Sequence, residues 1–164
     1  MIGNTGSGKT TVSRTLAQKL GVPHVELDAL NWKPGWVESG RDEFRARVEA
    51  ALAQDGWVCD GNYRGRLGSY TLERADLVVW LDLPLRIVFA RVLRRTARRV
   101  RTREQVWGTN VETWRNFFFA RNPLWLWVLQ MHFRWRRWLP DILVKYPHVR
   151  LRSERDVERF LAEA

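Results

Sequence analysis

Gly3-Asn4-Thr5-Gly6-Ser7-Gly8-Lys9-Thr10 satisfies every fixed position of the pattern G-x-x-x-x-G-K-[ST]. Glycines at these places let successive backbone N–H groups turn inward around phosphate oxygens, with no Cβ in the way. Lys9 then supplies a point charge for the β- and γ-phosphates of a nucleoside triphosphate such as ATP. The hydroxyl of Thr10, with Thr11 beside it, falls where a Mg²⁺ ion would be held. A helix has to start at such a loop, so that its positive dipole end faces the same anion. One is legible: Val12, Leu16 and Leu20 repeat at a spacing of four, Ala17 joins their face, and Gly21-Val22-Pro23 ends the run.

A chain of 164 residues with 45% hydrophobic residues and ten Trp can bury one good core, so a single domain over 1–164 is expected. The single Cys59 excludes an internal disulfide framework and a Cys-rich zinc site. The longest apolar stretch, Phe117 to Phe133, is broken by Arg121, Asn122, Pro123, Gln130 and His132, which argues against a membrane span. The expectation is a soluble, cytoplasmic monomer. The net charge of +10 favours polyanionic partners, whether nucleotide, nucleic acid or acidic surface, and does not choose among them. Only Lys9, Lys19, Lys33 and Lys145 are lysines. Arg grips phosphate with a planar fork, but a bias in genomic base composition produces the same imbalance.

Beyond the first helix, His24-Val25-Glu26-Leu27-Asp28 reads as a short strand ending in a carboxylate at the sheet rim where open α/β proteins bind ligands. The loop Asn31-Trp32-Lys33-Pro34-Gly35-Trp36 follows, its tryptophans either closing the core or walling an acceptor pocket. Ser39 is placed to cap a helix carrying Phe44, Val48 and Leu52. A second strand, Trp57-Val58-Cys59, runs into Asp60-Gly61-Asn62-Tyr63-Arg64. Asp60 could hold Mg²⁺ through water or simply make an Asp-Gly turn, and Arg64 is near enough in sequence to reach a bound phosphate.

Leu77 to Leu81 is continuously apolar, as for a strand buried on both faces, and Pro84 suits the first turn of a helix. Between Arg86 and Arg103 that helix carries eight arginines and no acid, with Arg91, Arg95 and Arg98 on one face. So much like charge is destabilising unless anions sit nearby, so part of this face is expected to contact triphosphate. Six of the ten Trp fall between Trp107 and Trp138. Asn122-Pro123 separates two helices there, and in the second Leu124, Val128, Met131, Trp135 and Trp138 form an apolar stripe. Interleaved Arg and Trp at 134–138 could also stack on bases, although amphipathic packing is the plainer account. Val149-Arg150-Leu151 reads as a last strand, with Ser153 capping the final helix.

Taken in order, these features resemble the adenylate-kinase-like branch of P-loop kinases, and most closely the DNA topology modulation (FlaR-related) proteins. The resemblance covers nearly the whole chain, including Asp60-Gly61-Asn62-Tyr63-Arg64, Asp82-Leu83-Pro84 and Gly108-x-Asn110-x-Glu112. It implies a three-layer α/β fold of the P-loop NTPase type with parallel strands in the order 2-3-1-4-5. It also implies an acceptor site near Asp28, lined by Trp32, Asp60, Gly61, Asn62 and Arg64, and a lid at about 98–122. Arg91 and Arg95 occupy the places where such kinases stack adenine and touch phosphate. Asn62-Tyr63-Arg64 departs from the Phe-Pro-Arg of true adenylate kinases, which puts AMP in doubt as acceptor.

The function these readings imply is ATP- and Mg²⁺-dependent phosphoryl transfer to a small-molecule or nucleotide acceptor. Lys9, Arg95, Arg115 and Arg121 would neutralise charge, Thr10 and Asp60 would hold the metal, and Asp28 would serve as base if the acceptor is a hydroxyl. A nucleic-acid-binding ATPase is the alternative. No Asn-Lys-x-Asp guanine-reading segment occurs. One feature is out of pattern: a buried first strand of about five or six residues should lead into the loop, yet only Met1-Ile2 precede Gly3. In the middle of a sheet, a gap there leaves backbone groups of both neighbours unpaired, at about 1–3 kcal/mol each. A truncated first strand, with the natural protein starting several residues upstream, is therefore expected.

Overall fold

The structure is a computed structural model that describes residues 1–120 and 122–164. Arg121, one of the arginines expected in the lid, lies outside the described residues. Five short strands run parallel: β1 (Ile2–Gly3), β2 (His24–Glu26), β3 (Val58–Asp60), β4 (Val78–Leu81) and β5 (His148–Leu151). Val25 stands opposite Cys59, Ile2 opposite Trp80 and Val79 opposite Val149. Two bonds join β1 to β3: the Met1 amino group donates to the Cys59 carbonyl at 2.6 Å, and the Gly61 N–H donates to the Met1 carbonyl at 3.2 Å. The strand order is therefore 2-3-1-4-5, as expected, and the fold is that of a P-loop NTPase.

Alternation along the strands builds the layers. Val79 and Leu81 pack with Val12 on one face, beside Val157 and Phe160, while Val78 and Trp80 pack with Trp135, Leu139 and Leu143 on the other. That places helices α1 (Lys9–Leu20) and α5 (Glu154–Glu163) on the first side, and the long helix α4 (Leu124–Leu143) on the second. Helix α2 (Arg41–Ala51) covers Val25 and Cys59 through Phe44, Val48 and Leu52, all fully buried. The arginine-rich helix α3 (Leu85–Thr102) buries Val88 and Val92 against Phe117 and Val128. Between α3 and α4 lie a hairpin, Gln105–Val106 with Asn110–Val111, and a short helix, Trp114–Phe118. These fall within the span expected for a lid.

Three local expectations need correction. The strand expected to run through Asp28 stops at Glu26, because Leu27–Asn31 turns into a short helix. Ser39 does not cap α2: its hydroxyl donates to the Leu30 carbonyl, and Gly40 holds the cap position with no side-chain bond. Leu77 is 46% exposed and stands outside β4. Ser153 does cap α5, in a reciprocal capping box with Asp156.

Strands β3 and β4 are bridged by β1 only near their carboxyl ends. Toward their amino ends they flank a cleft of about 620 Å³ lined by Met1, Ile2, Trp57, Val58, Val79 and Phe160, among others. The Val78 N–H donates to Pro147 on the β5 side, so by the alternation of a parallel ladder the Val79 N–H points toward β1 and this cleft.

Candidate active site

The phosphate loop is held from three sides. Gly3 has φ of +151°, and a Cβ there would lie 2.6 Å from the Leu81 carbonyl oxygen. Gly6, at φ +79°, lies against Val92 and 2.8 Å from the Val88 carbonyl oxygen on the same measure, so α3 packs directly on the loop. Asn62 clamps Gly3 at both ends, accepting its N–H at 3.1 Å and donating to its carbonyl at 2.6 Å. Asn4 is buried, accepts the Thr5 N–H at 2.9 Å and donates to the Val128 carbonyl of α4 at 2.8 Å. The Lys9 ammonium donates to the Gly3 and Asn4 carbonyls at 2.9 and 3.1 Å, which holds its charge over the loop.

Carboxylates collect at the carboxyl ends of β2 and β3. Asp60 closes β3, is buried, and shares one oxygen with His24 Nε2 at 3.0 Å. Asp28, on the helical turn after β2, accepts the Tyr63 hydroxyl at 2.5 Å. Burial, then the charge of Asp28, raises the Tyr63 phenol above its usual range, so this hydroxyl remains a donor. Glu26 accepts the Trp107 indole N–H at 3.0 Å; burial pushes its carboxyl up, and that bond opposes the shift. Burial also lowers the Lys9 ammonium from its ordinary value, with Asp28 and then Asp60 holding it up. Each of the three acids thus has a side-chain partner of its own, His24, Tyr63 or Trp107.

The arginines of α3 divide. Arg91 donates to the Ser7 carbonyl at 3.3 Å and pairs with Glu154. Arg95 approaches Glu112 at 3.7 Å, and its buried Nε has no partner among the described residues. Burial lowers its pKa, opposed by Glu112. Arg98 pairs with Glu104 at 3.0 Å. Arg99 pairs with Glu112 at 2.6 Å, and Thr96 donates to the same carboxylate at 3.0 Å.

The family profile described as shikimate kinase matches residues 5–133. The chain belongs to the shikimate kinase family. Similar proteins include a cytidylate kinase of Pyrococcus furiosus, 31% identical over 57% of this chain and 54% of that protein. A shikimate kinase of Sulfurihydrogenibium is 32% identical over 56% of this chain and 64% of its own length. A shikimate kinase of Rhizobium meliloti is 28% identical over 75% and 69%. The chain spans about half to two-thirds of the length of the first two of these relatives.

In this member of the shikimate kinase family, the structure brings Gly3 to Thr11, Asp28, Asp60, Gly61, Asn62, Arg91 and Arg95 to one end of the sheet. Trp32 stands at the same rim, edge-on to Trp36 at 5.7 Å, and Trp36 is edge-on to Trp107 at 5.9 Å. Arg64 is exposed, with its guanidinium 5.7 Å from the Trp138 ring centroid. Arg115 is exposed on the short helix Trp114–Phe118. Thr10 sits in the first turn of α1, and the second oxygen of Asp60 makes no hydrogen bond among the described residues. One hydroxyl and one carboxylate suit Mg²⁺, which keeps several waters and bridges phosphates, so the residues present fit that ion. Among the described residues, no group of three or more His, Cys, Asp or Glu could hold a metal by itself. No described helix is long and apolar enough to cross a membrane.

Sequence reasoning singled out Asn62 without its clamp on Gly3, and it missed His24, Tyr63 and Glu26. The signal for Tyr63 was present in Asp60-Gly61-Asn62-Tyr63. His24 and Glu26 stood in an alternating strand with no local mark of their partners.

Proposed function

We propose that this protein is a cytoplasmic, ATP-dependent phosphotransferase that moves the γ-phosphoryl group of Mg-ATP to a hydroxyl of a small-molecule acceptor. The observation that carries this reading is the Lys9 ammonium held on the Gly3 and Asn4 carbonyls of the phosphate loop, at the end of the sheet where Asp60 closes β3 and Asp28 follows β2. A phosphate acceptor would call for arginines at this rim. Arg66, however, is committed to Asn31, Ser39 and Glu38, and Arg64 lies over Trp138, whereas Asp28 and Asp60 stand at this rim. Thr10 and, through water, Asp60 would hold a Mg²⁺ ion, which would supply positive charge against the phosphates of the nucleotide.

Asp28 then accepts the proton of the acceptor hydroxyl as its oxygen attacks the γ-phosphorus. The bond from that phosphorus to the β–γ bridging oxygen breaks, and ADP leaves with the electron pair. Lys9 and Arg95, with Arg115, neutralise the charge on the transferring group. Trp32 and Asn62 line the acceptor side. A screen for ADP formation with polyols, hydroxy acids and nucleoside monophosphates tests the reading. Stimulation by a hydroxyl compound supports it, and stimulation by nucleoside monophosphates alone contradicts the hydroxyl assignment.

A second reading, a nucleic-acid-binding ATPase akin to the DNA topology modulation group, draws support from the exposed aromatics Phe118 and Phe119 beside Arg115. Duplex DNA added to the same assay separates the two: a large stimulation with no response to any small acceptor favours the second.

A further inference from the structure

Glu112 has no part in the reading above, yet it is one of the most heavily engaged carboxylates in the molecule. It is held between two structures. On one side it accepts the Arg99 guanidinium at 2.6 Å and the Thr96 hydroxyl at 3.0 Å, and it stands 3.7 Å from Arg95. On the other it follows directly on Asn110–Val111, the second strand of the lid hairpin. Asn110 is 2% exposed and fully used: its amide donates to the Lys33 and Trp107 carbonyls at 3.0 and 3.2 Å and accepts the Trp36 N–H at 2.7 Å. The Trp36 indole adds a bond to the Val111 carbonyl at 3.2 Å. The lid hairpin is thereby fastened to the Trp32–Glu38 hairpin on the acceptor side.

Trp36 and Trp107 both adopt positive φ, +59° and +46°, which side chains of that size hold only where surrounding contacts over-determine the backbone. Glu112 is therefore tied both to the acceptor-side hairpin, through its neighbours Asn110 and Val111, and to α3, through Arg99 and Thr96. Arg99 and Thr96 fill the close contacts of Glu112. Arg95 is left at the longer distance, its buried Nε without a partner among the described residues.

We propose that Glu112 is the positioning residue for Arg95, and that through Asn110 it ties the aim of this guanidinium at the γ-phosphoryl group to the acceptor-side hairpin. This rests on the phosphotransferase reading. A carboxylate that orients Arg95 toward a group in flight stabilises the transition state more than the nucleotide itself. Its loss therefore weakens a transition-state mimic selectively, whereas a merely structural loss weakens every nucleotide alike.

The test compares the affinity of the full chain for Mg-ADP with its affinity for Mg-ADP plus aluminium fluoride, a mimic of the transferring phosphoryl group, in wild type, Glu112→Gln and Glu112→Asp. We expect Glu112→Gln to bind Mg-ADP within about threefold of wild type and the aluminium fluoride complex at least about tenfold more weakly, with Glu112→Asp in between. Should Glu112→Gln fail to fold, Glu112→Asp is judged by the same selective loss. Equal weakening of both ligands, no weakening of either, or no added affinity from aluminium fluoride in wild type would overturn the proposal. If wild type fails to bind Mg-ADP at all, the phosphotransferase reading itself falls, a result distinct from these.

Discussion

The two ends of the parallel sheet differ sharply. At the carboxyl ends, polar groups are satisfied by partners far away in sequence: Asn62 with Gly3, His24 with Asp60, Tyr63 with Asp28, Trp107 with Glu26. At the amino ends, β3 and β4 stand apart around a cleft of about 620 Å³, with β1 reduced to two residues between them. The contrast teaches that order at the phosphate loop is built at the carboxyl end of the sheet, by partners distant in sequence. Asn62, the Met1 backbone and the ladder to Trp80 and Leu81 hold Gly3 in place. Stability and site geometry should then respond to different changes.

The largest effect is expected at the carboxyl end. Asp28→Asn should lower the rate of transfer to a hydroxyl acceptor by about 10²–10⁴-fold, the usual contribution of a general base, with the KM for ATP little changed. Steady-state kinetics check this, and an unchanged kcat would remove Asp28 from the chemistry.

Asn62→Ala bears on the same end through structure. It removes both bonds to the buried Gly3, leaving its N–H without a partner while the carbonyl keeps only the Lys9 ammonium, so chemical denaturation should show a loss of about 1–3 kcal/mol. A loss confined to nucleotide affinity, with stability intact, would show that β1 is anchored mainly by the β4 ladder.

At the amino end the expected change has the opposite sign. Four apolar β-branched residues appended before Met1 can enter the cleft, pair with the open edges of β3 and β4, and bury side chains there. We expect a gain of about 1–3 kcal/mol once the cost of ordering those residues is met. Thermal melts should show a rise of several degrees that a Gly-Ser extension of equal length does not give. No difference between the two extensions would mean that the cleft closes in solution.

The smallest effect concerns pH. His132 is buried on α4, and its pKa lies below the ordinary 6.5 because burial disfavours the cation and Arg136 repels it, with Asp82 opposing. The unfolded chain therefore takes up this proton first as pH falls. The stabilising contribution is complete above about pH 6.5 and declines below it, by less than about 1.4 kcal/mol per pH unit. Denaturant midpoints from pH 7.5 down to 5.5 should show this slope, reduced in His132→Phe.

Legibility in the sequence followed the same division. The phosphate loop, the α1 stripe through Val12, Leu16 and Ala17 (but not Leu20, which is 51% exposed), the fully buried Phe44, Val48 and Leu52 face and the Ser153 cap were readable because each is encoded within a few residues. The strand order came through resemblance, since pairing of distant segments leaves no local mark. Ser39 illustrates the limit: a good cap residue by type, it bonds instead to Leu30, which only the folded chain brings near. Asp28 was placed at the right rim on the wrong element, because the pattern of residues 24–28 does not show that the turn begins at Leu27. The His24–Asp60 pair, 36 residues apart, and the bridge from Asn110 to Lys33 could not be read at all.

The central claim is that the carboxyl end is a nucleotide site organised on Lys9. Its most direct measurement is calorimetric titration of Mg-ATP into wild type and Lys9→Ala, with thermal unfolding of both proteins alongside. The account predicts saturable binding to wild type, at least about tenfold weaker binding to Lys9→Ala as a phosphate contact is lost, and closely similar melting of the two unliganded proteins. Equal affinity in both would contradict it.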